Sequence, residues 1–218
     1  MSGKKRVAIL ISGRGSNMQA LVRAMREASF PAEPACVISS HPEAGGLAWA
    51  KEQGVATVAI DHKLYANRMA FEARLHQALL DHGTELICNA GWMRMLTGGF
   101  VDRWRDRQLN IHPSLLPVFP GLHTHRRVLE QGPLITGCTV HFVRTEMDSG
   151  PIVAQAAVAV LPGDTEATLA ERVLGAEHKL YPMALRMVAS GQVRVENETA
   201  IITAPAGTPM ALFSPALA

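Results

Sequence analysis

Cysteine is scarce in this 218-residue chain: Cys36, Cys88 and Cys138 are its only three. They share no Cys-x-x-Cys spacing, which excludes a disulfide framework and a thiol metal site of the usual kind. Each lies in an apolar stretch of strand character. The expectation is three small buried hydrophobes in a reducing compartment. Aromatic residues are only 5%, no basic run reaches five residues and the net charge is +2, so nothing suggests a surface that stacks or tracks nucleic acid. No apolar stretch approaches the roughly 20 residues of a membrane span. After the basic Met1–Arg6, the run Val7–Ile11 is too short for the core of a signal peptide. A cytoplasmic protein is expected, with neither nucleic acid nor membrane as partner.

What is present is an ordinary globular balance of 48% hydrophobic and 18% charged residues. The length fits one domain, expected to span 1–218 with a loosely held Ala- and Pro-rich tail from about 205. Continuous apolar runs at 7–11, 35–38, 55–60, 85–90 and 109–112 read as strands buried on both faces. Between them, 17–28, 46–53 and 67–82 carry helical spacing, and Gly54 and Gly83 close the last two. Segment 113–122 is irregular and 124–131 helical. Strands at 137–143 and 152–160 flank the polar turn Thr145–Gly150. A long helix from 165 toward 190 should be kinked or split by Pro182, and 193–195 and 200–203 suit a short hairpin. The alternation predicts an α/β fold: an open, mostly parallel twisted sheet with helices on both faces and an antiparallel addition in the C-terminal half.

Ser12-Gly-Arg-Gly-Ser-Asn17 follows the first strand and opens a helix, with Ser16 or Asn17 as N-cap. Free N–H groups and the helix dipole there favour an anion. A dinucleotide loop would need glycine at Met18 and an acidic end to the second strand, where Ser39-Ser-His-Pro42 stands. A Walker loop would need Gly-Lys-Ser/Thr. A phosphate cradle without a dinucleotide remains, beside the plain alternative of a tight turn that binds nothing.

Asn110 and His112 are two apart on a strand and share a face. An amide that donates without titrating, beside an imidazole that donates and passes protons, suits a developing oxyanion. Asp148 lies in the polar turn. If it reaches His112 it favours the imidazolium; otherwise Asp148-Ser-Gly150 is turn chemistry. His123, His125 and His141 have no accompanying Cys/His cluster or zinc motif, so no metal is expected.

Asn110-Ile-His-Pro-Ser-Leu-Leu-Pro117, continuing through Phe119-Pro-Gly-Leu-His-Thr-His125, resembles the signature of the glycinamide ribonucleotide formyltransferases. Ser12–Asn17, Ala90–Leu96, Thr139–Val143, Asp148–Pro151 and Glu177–Pro182 match that family in order and spacing, over about residues 5 to 197. The resemblance implies a Rossmann-like formyltransferase fold. It implies transfer of a formyl group from the co-substrate 10-formyltetrahydrofolate to the amine of glycinamide ribonucleotide, in purine biosynthesis, with no metal. By position it implies Asn110, His112 and Asp148 as the catalytic trio. Gly15, Ser16, Asn17 and Glu177 match the ribonucleotide site. Arg68, Met93, Arg94, Met95, Leu96, Asn110, Arg144, Thr145, Glu146, Met147 and Asp148 match the folate pocket. Arg14 stands where the family most often has Asn, and Trp92 where Phe is commoner. Partners are expected to be small molecules, and the assembly a monomer or homodimer. The rival enzyme reading is a formyltetrahydrofolate hydrolase, in which water replaces the amine. Such hydrolases carry an N-terminal regulatory domain, for which a first strand beginning about six residues from Met1 is expected to leave no room. A non-enzymatic phosphate-binding module explains the glycine loop but not the trio.

Overall fold

The structure is a computed structural model and describes residues 3–203. In chain order the elements are β1 (Lys5–Ile11), α1 (Ser16–Met25), β2 (Ala32–Ser39), α2 (Gly45–Glu52), β3 (Thr57–Ala59), α3 (Arg68–Asp81), β4 (Leu86–Asn89), α4 (Gly98–Arg103), β5 (Gln108–His112), α5 (Thr124–Gln131), β6 (Ile135–Phe142), β7 (Ile152–Ala159), α6 (Glu166–Ala189), β8 (Val193–Glu196) and β9 (Thr199–Ile202), with a 3-10 turn at His62–Leu64. Seven strands form one sheet in the order β3-β2-β1-β4-β5-β6-β7. The first five in that order are parallel, while β6 and β7 add on antiparallel. This is the expected fold class. The expected tail from 205 lies outside the described residues.

The central strand shows how the sequence builds the layers. Val7 through Ile11 are fully buried. Val7, Ile9 and Ile11 pack with Met18, Leu21 and Val22 of α1 and with Val173, Tyr181 and Leu185 of α6. Ala8 and Leu10 face the other way, against Phe71, Leu75 and Leu79 of α3 and Phe100 of α4. A strand covered on both sides can be apolar at every position, which is why it reads as a run and not as an alternation. Cys36, Cys88 and Cys138 are free and buried, on β2, β4 and β6. Burial pushes all three thiols up to about 12, which leaves them unreactive at neutral pH.

Two local features are decided by the structure. Of the kink or split expected at Pro182, the split does not occur: α6 runs through it as one element of 24 residues. An interior proline removes one hydrogen bond and costs about 3 kcal/mol. Here Leu180, Tyr181, Ala184 and Leu185 on either side of it are buried against the sheet, and the Tyr181 hydroxyl lies 3.1 Å from the carbonyls of both Asn89 and Leu109. Packing over the strands outweighs the local break. The second is α4, which has no counterpart in the periodicity because two glycines open it and it is only six residues long. Thr97 caps it, and the Thr97 N–H and hydroxyl both donate to the buried Glu72 carboxylate of α3. No helix among the described residues is long and apolar enough to cross a membrane.

Candidate active site

Strand order reverses beside β1, since the chain passes from β1 to β2 on one side and later returns to β4 on the other. In open α/β sheets a crevice opens at the carboxyl ends of the strands at such a point. A cleft of about 640 Å³ lies there. Its wall includes Asn17 after β1, residues 91–96 after β4, Asn110 to Pro113 on and after β5, 121–125 leading into and opening α5, Val143 to Thr145, Met147 and Asp148 after β6, and Glu177 from α6.

The glycine loop is built differently from the expected Ser or Asn cap. Gly15 is the N-cap of α1, at φ 68°, and no side chain caps the helix. A Cβ at Gly15 would sit 3.0 Å from the Met18 Cε, so both the backbone twist and the space favour glycine. With no capping side chain the first-turn N–H groups stay open to an anion. The Ser12 hydroxyl accepts the Met93 N–H at 3.0 Å, tying this loop to the segment after β4.

Asn110, His112 and Asp148 meet at the cleft wall. Asp148 Oδ2 lies 3.3 Å from His112 Nδ1, and both side chains are about nine-tenths or more buried. The backbone N–H of Gly121 donates to the same carboxylate oxygen at 2.8 Å. Asp148 reaches this position with φ 54°, and a Cβ at Gly150 would lie 1.7 Å from the Phe142 carbonyl oxygen. The Asp-Ser-Gly turn is therefore a tight return that aims a carboxylate, so it is turn chemistry and site chemistry together. On the other side of the His112 ring, Nε2 lies 2.8 Å from the Phe119 carbonyl oxygen. A carbonyl only accepts, so Nε2 carries a proton. The Nδ1 contact with the carboxylate closes as a hydrogen bond when Nδ1 carries one too.

His141 completes the group. Its Nδ1 lies 2.9 Å from the Phe142 carbonyl oxygen and therefore donates. Burial lowers its pKa, a trend that the carbonyl contact and Asp148 only partly oppose, and the ring is held neutral. Its unprotonated Nε2 then accepts from the Asn110 carboxamide NH₂ at 3.2 Å. This fixes which way the amide faces, and it leaves the second N–H of that group for a ligand. His141 Nε2 is also 3.7 Å from Asp148 Oδ1.

Further along the cleft, the buried Asn17 donates to the Glu177 carboxylate at 2.6 Å across 160 residues of chain. Burial raises the Glu177 pKa, and the Asn17 bond lowers it by less. The buried Asn17 Oδ1 has no hydrogen-bond partner among the described residues, so an acceptor stands ready at the wall. Also at the wall, Arg94 packs its guanidinium 5.4 Å from the ring centre of the buried Phe71, which stacks on Trp92 at 6.2 Å. Met93, Met95, Leu96, Thr145 and Met147 join this more apolar part of the cleft. Gly15 and Ser16 border Asn17 but lie outside the wall, as do the exposed Arg68 and Glu146. Arg144 is at the wall, but its guanidinium is bonded to Glu198 and Asp106.

The sequence alone does not reveal the roles of His141, the Phe119 carbonyl and the Gly121 N–H. A signal for His141 exists: it pairs directly with Asn110 across β5 and β6. Nothing local marks the backbone groups. His123 and His125 face the cleft as well, and burial lowers the pKa of His125.

The cleft brings hydrogen-bond donors and a buried imidazole–carboxylate pair together at the carboxyl ends of an open α/β sheet, and comparison with known proteins gives the class of protein that has this fold. The formyl transferase family model matches residues 5–185. Phosphoribosylglycinamide formyltransferase of Escherichia coli is 38% identical over 194 residues, covering 89% of this chain and 92% of that protein. A crystal structure of glycinamide ribonucleotide transformylase 1 from Symbiobacterium toebii superposes with a TM-score of 0.90 at 44% identity, covering 93% of this chain and 95% of that one. The chain belongs to the formyl transferase family, on its phosphoribosylglycinamide formyltransferase branch. The trifunctional purine biosynthetic protein adenosine-3 of Bos taurus is 51% identical over 192 residues, but this chain spans only 19% of its length. A formyltetrahydrofolate deformylase from Pseudomonas syringae shares the fold, with a TM-score of 0.85 at 23% identity.

Proposed function

We propose that this protein transfers the formyl group of 10-formyltetrahydrofolate to the amine of glycinamide ribonucleotide, in purine biosynthesis. The observation that carries the reading is the meeting of Asn110, His112 and Asp148 at the wall of one cleft. The same wall carries Asn17, from the uncapped first turn of α1, and the Trp92–Leu96 segment. The ribonucleotide phosphate suits the open N–H groups at Ser16 and Asn17. Its ribose suits Glu177 and the unpartnered Asn17 Oδ1. The pterin and benzoyl rings suit the wall formed by Met93–Leu96 with Arg144, Thr145, Met147 and Asp148.

The chemistry then follows from the groups in place. The substrate amine attacks the formyl carbon, a C–N bond forms, and the carbonyl oxygen becomes an oxyanion. The free N–H of Asn110 donates to it. His112 donates as well once its Nε2–H leaves the Phe119 carbonyl. The attacking nitrogen must lose a proton and the departing folate nitrogen must gain one as the second C–N bond breaks. Asp148 serves the first need. Its Oδ2 is held by Gly121, while Oδ1 accepts no hydrogen bond among the described residues and can take a proton directly or through water. Holding both substrates in register supplies much of the remaining rate.

The deciding experiment follows tetrahydrofolate formation by absorbance, with and without glycinamide ribonucleotide. Product release that depends on the ribonucleotide is expected; release of equal rate without it would assign the hydrolase reading instead. A second measurement checks the ribonucleotide end. Asn17→Ala is expected to raise the KM for the ribonucleotide about tenfold, the cost of one buried hydrogen-bonding group, with the KM for the folate unchanged. The reverse pattern would reject the assignment.

A further inference from the structure

Arg144 opens the segment that carries Asp148, and its guanidinium points to carboxylates outside the cleft. Nε donates to Glu198 Oε2 at 2.6 Å, one terminal nitrogen to Asp106 Oδ1 at 2.6 Å, and the other to the Val143 carbonyl at 3.0 Å. The Arg144 side chain is only 9% exposed. Arg105 holds the second oxygen of Glu198. One carboxylate thus bridges the turn between α4 and β5 to the start of the 143–150 segment. Glu198 sits with Asn197 in the two-residue turn of the β8–β9 hairpin, at φ 59° and 47°. Glycine or asparagine is the usual occupant of such a turn, and glutamate is a poor one. A residue that costs backbone energy and makes two ion pairs is placed for its side chain. The hairpin itself lies beyond the matched family span of 5–185.

We propose that the β8–β9 hairpin acts through Glu198 as a positioning element for the 143–150 segment, setting where Asp148 and the folate wall stand. The proposal rests on the formyl-transfer reading and deepens it. The segment is fixed at its far end by the Phe142 N–H bond to Pro151 at 2.9 Å and by the close approach of Gly150 to Phe142. At its near end the side-chain anchor is the Arg144 clamp. Residues 145–147 between them are exposed, and Asp148 is held by its contacts with Gly121 and His112. Loosening Arg144 frees four residues of backbone leading to the carboxylate. A misplacement of about 1 Å at a reacting group can cost a hundredfold in rate.

Glu198→Asn tests this cleanly, because asparagine suits the left-handed turn while removing the bridging carboxylate. The hairpin should survive, with an unchanged melting temperature. The KM for the formyl donor should rise roughly fivefold, the upper end for an exposed ion pair, and kcat should fall, while the KM for the ribonucleotide stays constant. Amide hydrogen exchange over 144–150, measured without substrates, should speed up several-fold. Unchanged exchange there would overturn the proposal, and so would equal shifts in both KM values. Should the wild-type protein transfer no formyl group, the exchange measurement still decides the clamp on its own. Glu198→Gln, which keeps the length of the side chain, gives the same readouts if the asparagine variant folds poorly.

Discussion

Asp148→Asn is expected to lower kcat roughly 10²–10⁴-fold, the range for a lost proton-transfer group, with the fold intact. The substitution is nearly isosteric. A carboxamide oxygen can still accept the Gly121 N–H that now goes to Oδ2. What it loses is the negative charge facing His112 Nδ1 at 3.3 Å in a nearly dry site. An ion contact there is screened far less than one at the surface. Without that charge His112 Nδ1 loses its ionic partner, and the other side-chain position can no longer take a proton from the attacking amine. Circular dichroism and the melting temperature check the fold, and steady-state rates check the chemistry. Near-normal turnover would remove Asp148 from the mechanism.

The second large effect is expected at Asn110. Asn110→Asp should lower kcat roughly 10²–10³-fold, the loss typical of one oxyanion-hole donor, with little change in either KM. The new side chain has almost the same shape but donates nothing, and it places a negative charge where negative charge develops. It also turns an acceptor toward the acceptor nitrogen of neutral His141, where an N–H now donates at 3.2 Å. That mismatch favours a protonated His141, so the residual activity should show an altered pH profile as well as a lower plateau. Asn110→Ala should lose a similar factor in rate without the change in profile. Full activity in both variants would exclude Asn110 as the oxyanion donor.

Much of the fold is legible in the sequence because its parallel strands are buried on both faces. A strand such as Val7–Ile11 needs no partner to be recognised: five apolar residues followed by a glycine loop suffice. Helix ends at Gly54 and Gly83 are equally plain, since both glycines take positive φ. The failures have local causes. The α4 helix is short and starts with two glycines, so it is held by the burial of Phe100 and Val101 and by the bonds of its cap Thr97 to Glu72 on another helix, and not by helical periodicity. Pro182 breaks a local rule that the packing of Tyr181 and its neighbours overrides. The cap of α1 differs from the expected one because Ser16 and Asn17 are good caps only in general. Here a left-handed glycine takes the position and leaves the N–H groups open.

The site divides in the same way. Asn110 and His112 are two apart on one strand, so their shared face is a property of the chain alone, as are the glycine loop and the apolar run before it. Their order along the polymer fixes them, because strand alternation and the strand-to-helix turn act over a few residues. The meeting of His112 with Asp148, the pairing of Asn17 with Glu177 across 160 positions, the orientation of the Asn110 amide by His141 and the bridging of Arg144 by Glu198 arise only when β6 turns antiparallel and α6 crosses back over the sheet. Those contacts join groups far apart in the chain, and their geometry depends on how whole layers pack.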